Sequence, residues 1–476
     1  MRRVATVAEV RAADRAASAL IGEAALIARA SAGLAATVGR QLTRVYGARV
    51  TVLAGSGHNG ADALRAGALL AGRGAVVRVV RCSDREPDAH GADALAAVLR
   101  AGGRLVADPP TRADVVLDGM VGVGGRAGLR ERAAALAAHP SLAHALVVAV
   151  DLPSGVDADT GAAGDAAVRA DLTVTFDAVK PGLLLRAGRE LAGSVQVVEV
   201  GLGLAGAPGP LAVLEPADVA ALLPDPAPGS DKYSRGVVGV VAGSDGYPGA
   251  GELSTGGAVR TGAGYVRYLA GAVEGVQARF PSVVAGEGRC DAYVVGSGLG
   301  TDDAAQARVR ELLATDVPLV LDADGLAVGA DAVRGRAAPT LITPHAGEFR
   351  RLTGVDPSGD PLAAALAAAR DLGVTVLLKG GQTVVAAPDG TARIVDGCPW
   401  LSTAGTGDVL GGICAALLAL LAKRGHDPAT VALDAGAAGA SLHVRAAWLA
   451  ADGAALAADA LLPALPEAAR SLRWRA

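Results

Sequence analysis

Short runs of β-branched residues recur along almost the whole chain, separated by Ala/Leu-rich stretches of helical length, and this alternation limits the fold to α/β. In the first half the runs are 49–54 (RVTVLA), 75–80 (AVVRVV), 113–118 (ADVVLD), 145–151 (ALVVAVD), 171–176 (DLTVTF) and 195–200 (VQVVEV). Several are nearly continuous valine, so the strands must be covered on both faces, as in a parallel sheet between helices. Residues 206–230 change character: AGAPGP and LPDPAPGS are Pro/Gly punctuation around one short helical piece, which reads as a linker. A second series then runs through 236–242, 291–295, 317–321, 339–343, 374–378 and 382–386, followed by long Ala/Leu helices at 406–423 and 428–450. The expectation is two α/β domains, 1–205 and 231–476, with no fixed-period repeat.

Composition removes several classes of function. The 476 residues carry a net charge of −4 and no basic block, which argues against a nucleic-acid partner. The longest apolar run, near 412–422, is about 11 residues, where a membrane span needs roughly 17–25, so it reads as a buried helix. Charges interrupt the N-terminal stretch, so no signal-peptide core is expected. Cys82, Cys290, Cys398 and Cys414 are scattered, with no CxxC pair, and read as reduced thiols in a cytoplasmic protein. The basic residues are 40 Arg and only four Lys: Lys180, Lys232, Lys379 and Lys423. Where lysine persists against that bias, an ammonium is needed that a guanidinium does not replace. The 65 glycines, few aromatics and Ala-rich faces leave room for a homo-oligomer.

Ligands of open α/β sheets gather at the carboxyl ends of strands. Three such ends in the first half carry polar loops: GSGHNGADA (55–63), DGMVGVGGRAG (118–128) and DLPSGVD (151–157). The first leads into a helix whose free N–H groups suit phosphate. Asn59, Asp118, Asp151 and Ser154 together offer an oxygen-lined site that suits a hard cation and not zinc. Lys180 follows a strand in FDAVKPGL, where it reads equally as a surface ion pair or as an anchor.

These segments resemble the epimerase domain of the NAD(P)H-hydrate repair enzymes, over about residues 1–205. That resemblance implies a Rossmann-like three-layer fold and interconversion of the R and S epimers of hydrated NADH or NADPH. His58, Asn59, Gly60, Ala61 and Asp62 would bind the hydrate, together with Gly122, Val123, Gly124, Gly125, Arg126, Ala127 and Gly128. Asp151 would contact it and act in proton transfer, and Asn59, Asp118 and Ser154 would coordinate potassium. His58 and Ala61 stand where the family has Asn and Gly, and Ala61 adds a Cβ where backbone approach is tight.

In the second half TAGTGDVLGG (403–412) opens a long apolar helix, so the N–H groups of Gly405, Thr406 and Gly407 can form an anion hole with Asp408 beside it. A carboxylate next to an anion hole suits phosphoryl transfer to a hydroxyl: Asp408 takes the proton and the amides hold the phosphoryl oxygens. The pattern resembles the ribokinase-like superfamily, a three-layer fold. AGSDGYPGAGELSTGGAVRTGAGYV, VVGSGLG, LDADGL, TPHAGEFRRL and LLKGGQTVV, in that order, are similar to the ADP- or ATP-dependent NAD(P)H-hydrate dehydratases over about 215–470. By that resemblance Ala250, Gly298, His345 and Asp408 would contact the hydrate. Lys379, Gly380, Gly381, Gln382, Thr383 and Gly407 would contact ADP or ATP, with magnesium on its phosphates. Ser297 and Ala404 replace a usual Pro and Gly. The competing reading is a ribokinase-like kinase for a small metabolite, carrying a non-catalytic nucleotide-binding N-terminal module.

Overall fold

In the computed structural model, which describes residues 1–83, 85–207 and 209–473, the valine runs become strands whose alternate residues feed cores on opposite faces. In Arg49–Ala54, Val50 and Val52 pack into one core and Leu53 into the other. The first core is closed by the helices Glu23–Gln41, through Leu34 and Val38, and His58–Gly72, through Ala63, Ala66 and Leu70. The second is closed by Leu136 of the short helix Glu131–Ala137. Both faces are covered, which is why these strands lack polar alternation.

By its contacts the chain divides into a unit of Arg2–Gly209 and a unit of Pro210–Ala476. The first unit holds a seven-stranded, fully parallel sheet in the order Arg104–Leu105, Val76–Arg81, Arg49–Ala54, Val115–Gly119, Leu146–Val150, Leu172–Phe176, Ser194–Val198. The order reverses beside Arg49–Ala54, and a crevice at such a reversal is where a doubly wound sheet binds its ligand.

The sheet of the second unit runs Leu211–Val213, Ala392–Val395, Thr383–Ala386, Thr375–Leu378, Thr340–Ile342, Leu319–Leu321, Ala292–Val295, Val237–Val241, Tyr265–Tyr268, Val284–Ala285. Only Thr383–Ala386 is antiparallel to its neighbours. Within the stretch 206–230, the strand Leu211–Val213 and the helix Pro216–Leu222 are elements of this unit. Among the described residues one helix, Thr406–Lys423, is long and apolar enough to cross a membrane, and 78% of it is buried inside the fold. It crosses Pro248–Thr261 at glycines: a Cβ on Gly412 would lie 2.0 Å from the Ser254 carbonyl oxygen, and one on Gly257 2.3 Å from that of Val409. No other residue type lets the two backbones approach so closely.

Candidate active sites

A cavity of about 480 Å³ opens at the carboxyl ends of the first unit's strands. Its walls include His58, Asn59, Asp62, Gly122, Val123, Gly124, Gly125 and Asp151. Gly60 and Ala61 lie behind it. A Cβ on Gly60 would sit 2.1 Å from the Gly55 carbonyl oxygen, whereas the Ala61 methyl is fully buried in the sheet–helix core. The extra methyl of Ala61 therefore faces the core and not the ligand space. Arg126, Ala127 and Gly128 are outside the cavity wall, and Gly128 instead donates its N–H to the Gly155 carbonyl at 2.8 Å.

Asp118 and Ser154 come together beneath this wall. Ser154 donates from Oγ to Asp118 Oδ1 at 2.6 Å and from its amide to Oδ2 at 2.8 Å. Burial pushes the Asp118 carboxyl up to about 6, against these hydrogen bonds. The Asn59 amide nitrogen is buried without a partner, and its side chain packs on Gly122, where a Cβ would meet it at 3.0 Å. A fully buried carboxylate beside the Ser154 hydroxyl, with no cationic side chain bonded to it among the described residues, fits a monovalent cation.

Asp151 ends its strand in the left-handed region, φ 66°, which a non-glycine residue adopts only when its surroundings hold it there. What holds it is Lys180, 1% exposed, whose Nζ donates to Asp151 Oδ1 at 2.6 Å, to Thr175 Oγ1 at 2.9 Å and to the Phe176 carbonyl at 3.3 Å. Thr175 Oγ1 in turn donates to Asp151 Oδ1 at 3.0 Å. Asp62 faces the same cavity with Oδ1 buried and without a hydrogen bond. Burial, then the charge of Asp151, hold its carboxyl well above the usual range. At the rim His58 Nε2 lies 2.8 Å from Glu23 Oε1, and the other Glu23 oxygen is 3.1 Å from His90 Nε2.

In the second unit Gly405 caps Thr406–Lys423 with φ 89° and no side-chain cap; of the three amides expected to form the anion hole, that of Thr406 instead donates to the Thr403 carbonyl at 3.4 Å. Thr406 Oγ1 ties this turn down through the Leu401 and Thr403 carbonyls, at 2.8 and 2.9 Å. Asp408, in the first turn, is pushed up to about 6 by burial and then by Asp322, opposed by Ser297 and Lys379. Lys379 Nζ bonds Asp322 Oδ1 at 2.7 Å and lies 3.9 Å from Glu348 Oε2. Burial alone would lower its proton affinity, but the two carboxylates raise it, so Lys379 is held charged. Gly407 sits against this pair: a Cβ there would be 3.4 Å from Lys379 Nζ.

His345 caps the helix Ala346–Thr353, with Nδ1 accepting from the Gly347 amide at 3.0 Å and Glu348 Oε2 accepting from the His345 amide at 2.8 Å. Nδ1 is thus the acceptor, and Nε2 lies 3.3 Å from Glu348 Oε1. Ala250 and Gly298 adjoin, since a Cβ on Gly298 (φ 62°) would lie 2.7 Å from that of Ala250. Gly380, Gly381 and Gln382 form the turn between the antiparallel strands Thr375–Leu378 and Thr383–Ala386, with Lys379 at its start. Asp322 and Glu348 were not singled out as site residues by motif reading. The LDADGL and TPHAGE segments contained them, yet only the fold brings their carboxylates to the lysine.

Residues 238–467 match a family described as NAD(P)H-hydrate dehydratase, and 23–182 match one described as YjeF-related protein N-terminus. The bifunctional NAD(P)H-hydrate repair enzyme of Mycobacterium tuberculosis (strain H37Rv) is 45% identical over 432 residues, covering 88% of this chain and 89% of that protein. The enzyme of the same name from Mycobacterium leprae is 43% identical over the same shares. A ribokinase-like superfamily protein from Enterococcus faecalis, 23% identical with a TM-score of 0.50, covers 56% of this chain and 98% of its own, a likeness of fold. An ADP/ATP-dependent NAD(P)H-hydrate dehydratase from Bacillus subtilis, crystallised with ATP and magnesium, is 29% identical over 53% of this chain and 96% of its own, with a TM-score of 0.49. Both halves of the sequence thus align with one kind of protein, and the chain belongs to the family of bifunctional NAD(P)H-hydrate repair enzymes.

Proposed function

We propose that this chain repairs hydrated NADH and NADPH: the first unit interconverts the R and S hydrates, and the second dehydrates the S form at the expense of ADP or ATP, releasing AMP or ADP and phosphate. The observation that carries the reading is the 45% identity extending over 88% of the chain. In the second unit the adenine nucleotide lies against the Lys379–Thr383 turn and Gly407, with its transferable phosphoryl group at the N-terminus of the Thr406–Lys423 helix. The hydrate lies against Ala250, Gly298 and His345, its ring hydroxyl toward Asp408. Asp408 takes the hydroxyl proton as the oxygen attacks phosphorus, and a carboxyl near 6 is well matched to that task close to neutral pH. Phosphate is a far better leaving group than hydroxide, so the ring nitrogen can then expel it. Lys379, held charged by Asp322 and Glu348, stabilises the phosphoryl oxygens in transit. Magnesium would be carried on the nucleotide phosphates, where it would supply charge neutralisation. Potassium in the first unit would rest on Asn59, Asp118 and Ser154 and fix the backbone around the hydrate.

The test is to supply both hydrate epimers with and without ADP or ATP and follow NADH absorbance and free phosphate. Fast conversion of both epimers, with one phosphate per NADH, is expected. Conversion of the S portion alone, with the R portion lagging at its spontaneous rate, would remove the first activity. A stable phosphorylated product without NADH would instead make the second unit a plain metabolite kinase.

A further inference from the structure

The first unit's cavity holds two carboxyl groups in opposite circumstances. Asp151 accepts from the buried Lys180 ammonium and from a hydroxyl, both on Oδ1. Asp62, from the facing helix His58–Gly72, has a buried Oδ1 that receives no hydrogen bond. Of the charged groups that act on Asp62, Asp151 and Asp14 raise its carboxyl and Arg65 lowers it. Asp14 and Arg11 come from the first helix and Glu23 from the second; Asp14 raises the carboxyl further. His58 is bonded to Glu23 at 2.8 Å, and Arg65, which alone lowers Asp62, is engaged with Asp93 at 2.5 Å. One carboxyl bonded to an ammonium and one buried with an oxygen that receives no hydrogen bond are unlike surroundings of the kind that separates a base from an acid.

We propose that Asp62 is the general acid of the epimerisation, working opposite Asp151 as the base. This rests on the epimerase reading of the first unit and assigns a proton to a group that reading had only as a contact. The Asp151 carboxylate removes the proton of the ring hydroxyl, and the O–H electron pair becomes the second bond of a carbonyl. The bond from that carbon to the ring nitrogen breaks, its pair stays on nitrogen, and Asp62 delivers its proton there. The ring-opened aldehyde rotates, and the nitrogen adds to its other face. Asp62 then recovers its proton from nitrogen, and Asp151 returns one to oxygen. No co-reactant is consumed, and the two carboxyls together carry one negative charge at every stage. The unfavourable doubly ionised state never arises.

The test uses the full chain without adenine nucleotide, so that the second unit is idle, and measures R-to-S interconversion by chromatography. Asp62→Asn is expected to lower kcat by about 100-fold or more, with KM within about threefold of wild type. Wild-type kcat should fall on the basic side as Asp62 ionises, and that basic limb should be absent from the residual rate of the variant. A role in packing alone would raise KM or abolish binding without removing the limb. Should Asp62→Asn not fold, Asp62→Ser carries the same expectations, since a hydroxyl at that position can donate a hydrogen bond but does not give up a proton near neutral pH. A variant retaining kcat, or one with an unchanged pH profile, overturns the assignment of Asp62 while leaving the epimerase reading intact. A wild-type chain that does not interconvert the hydrates overturns both.

Discussion

Lys180 shows how much one buried ammonium can fix. It is 1% exposed and makes three hydrogen bonds, which no guanidinium of larger, planar shape would reproduce in that space. Lys180→Met would leave Asp151 buried and unpaired, a loss of about 3–5 kcal/mol in the first unit together with most of its epimerisation, while dehydration of the S hydrate persists. Lys180→Arg should recover neither; a variant unfolding at the wild-type temperature would show the pair to be dispensable. Asp408 titrates near 6 because burial and Asp322 favour its protonated form. It must be ionised to take a proton, so dehydration should slow as pH falls through about 6. Lys379→Met removes a cation that pulls Asp408 down, so the acidic limb of kcat, at saturating nucleotide, should move to higher pH. A limb that stays put would place the rate-limiting proton elsewhere. The rarity of lysine pointed to Lys180 and Lys379 from sequence, and the fold gives both a carboxylate at hydrogen-bond distance. What the sequence did not convey was the identity of those partners, 29 and 57 residues away.

At the scale of elements, the helices that build the second site cross at Gly257 and Gly412, so close backbone contact helps to position the first turn of Thr406–Lys423. Gly412→Ala forces a methyl to within 2.0 Å of the Ser254 carbonyl oxygen. The helices must separate, at a cost of about 1–3 kcal/mol, and the first turn moves with them. Gly72→Ala, where nothing lies within 4 Å of the added Cβ, is the contrast and should leave stability unchanged or slightly raised. Thermal unfolding and dehydration rates of the two variants decide the matter; equal behaviour would refute the crossing argument. Strands rich in valine were readable because burial on both faces leaves one signature. Tyr265–Tyr268, Ala392–Val395 and Leu211–Val213 were not read: two carry arginine, the third is three residues long among prolines, and partner strands alone define them. Pro216–Leu222 was visible as a helical piece, but not the sheet and helices it accompanies.

For the molecule as a whole, each unit places a carboxyl group beside the start of a helix, Asp62 in His58–Gly72 and Asp408 in Thr406–Lys423, and the reactions proposed for the two units are complementary. One supplies the epimer that the other consumes. The order of motifs made that pairing readable in sequence, because the polar loops at strand ends carry distinctive residue types while the strands between them are alike in being apolar. The surroundings of the two first-unit carboxyls were not readable, since only the fold brings Lys180 to Asp151 and leaves Asp62 Oδ1 buried without a hydrogen bond. The helix Thr406–Lys423 is at once the floor of the second site and, with fourteen buried residues, a central piece of its core. Ligand occupancy and structural persistence are therefore linked quantities in this unit. An adenine nucleotide at a hundred times its dissociation constant would add about 2.7 kcal/mol to the folded state. Depletion of the adenylate pool would then show first as a shorter lifetime of the protein, before any effect of reduced turnover on its substrate.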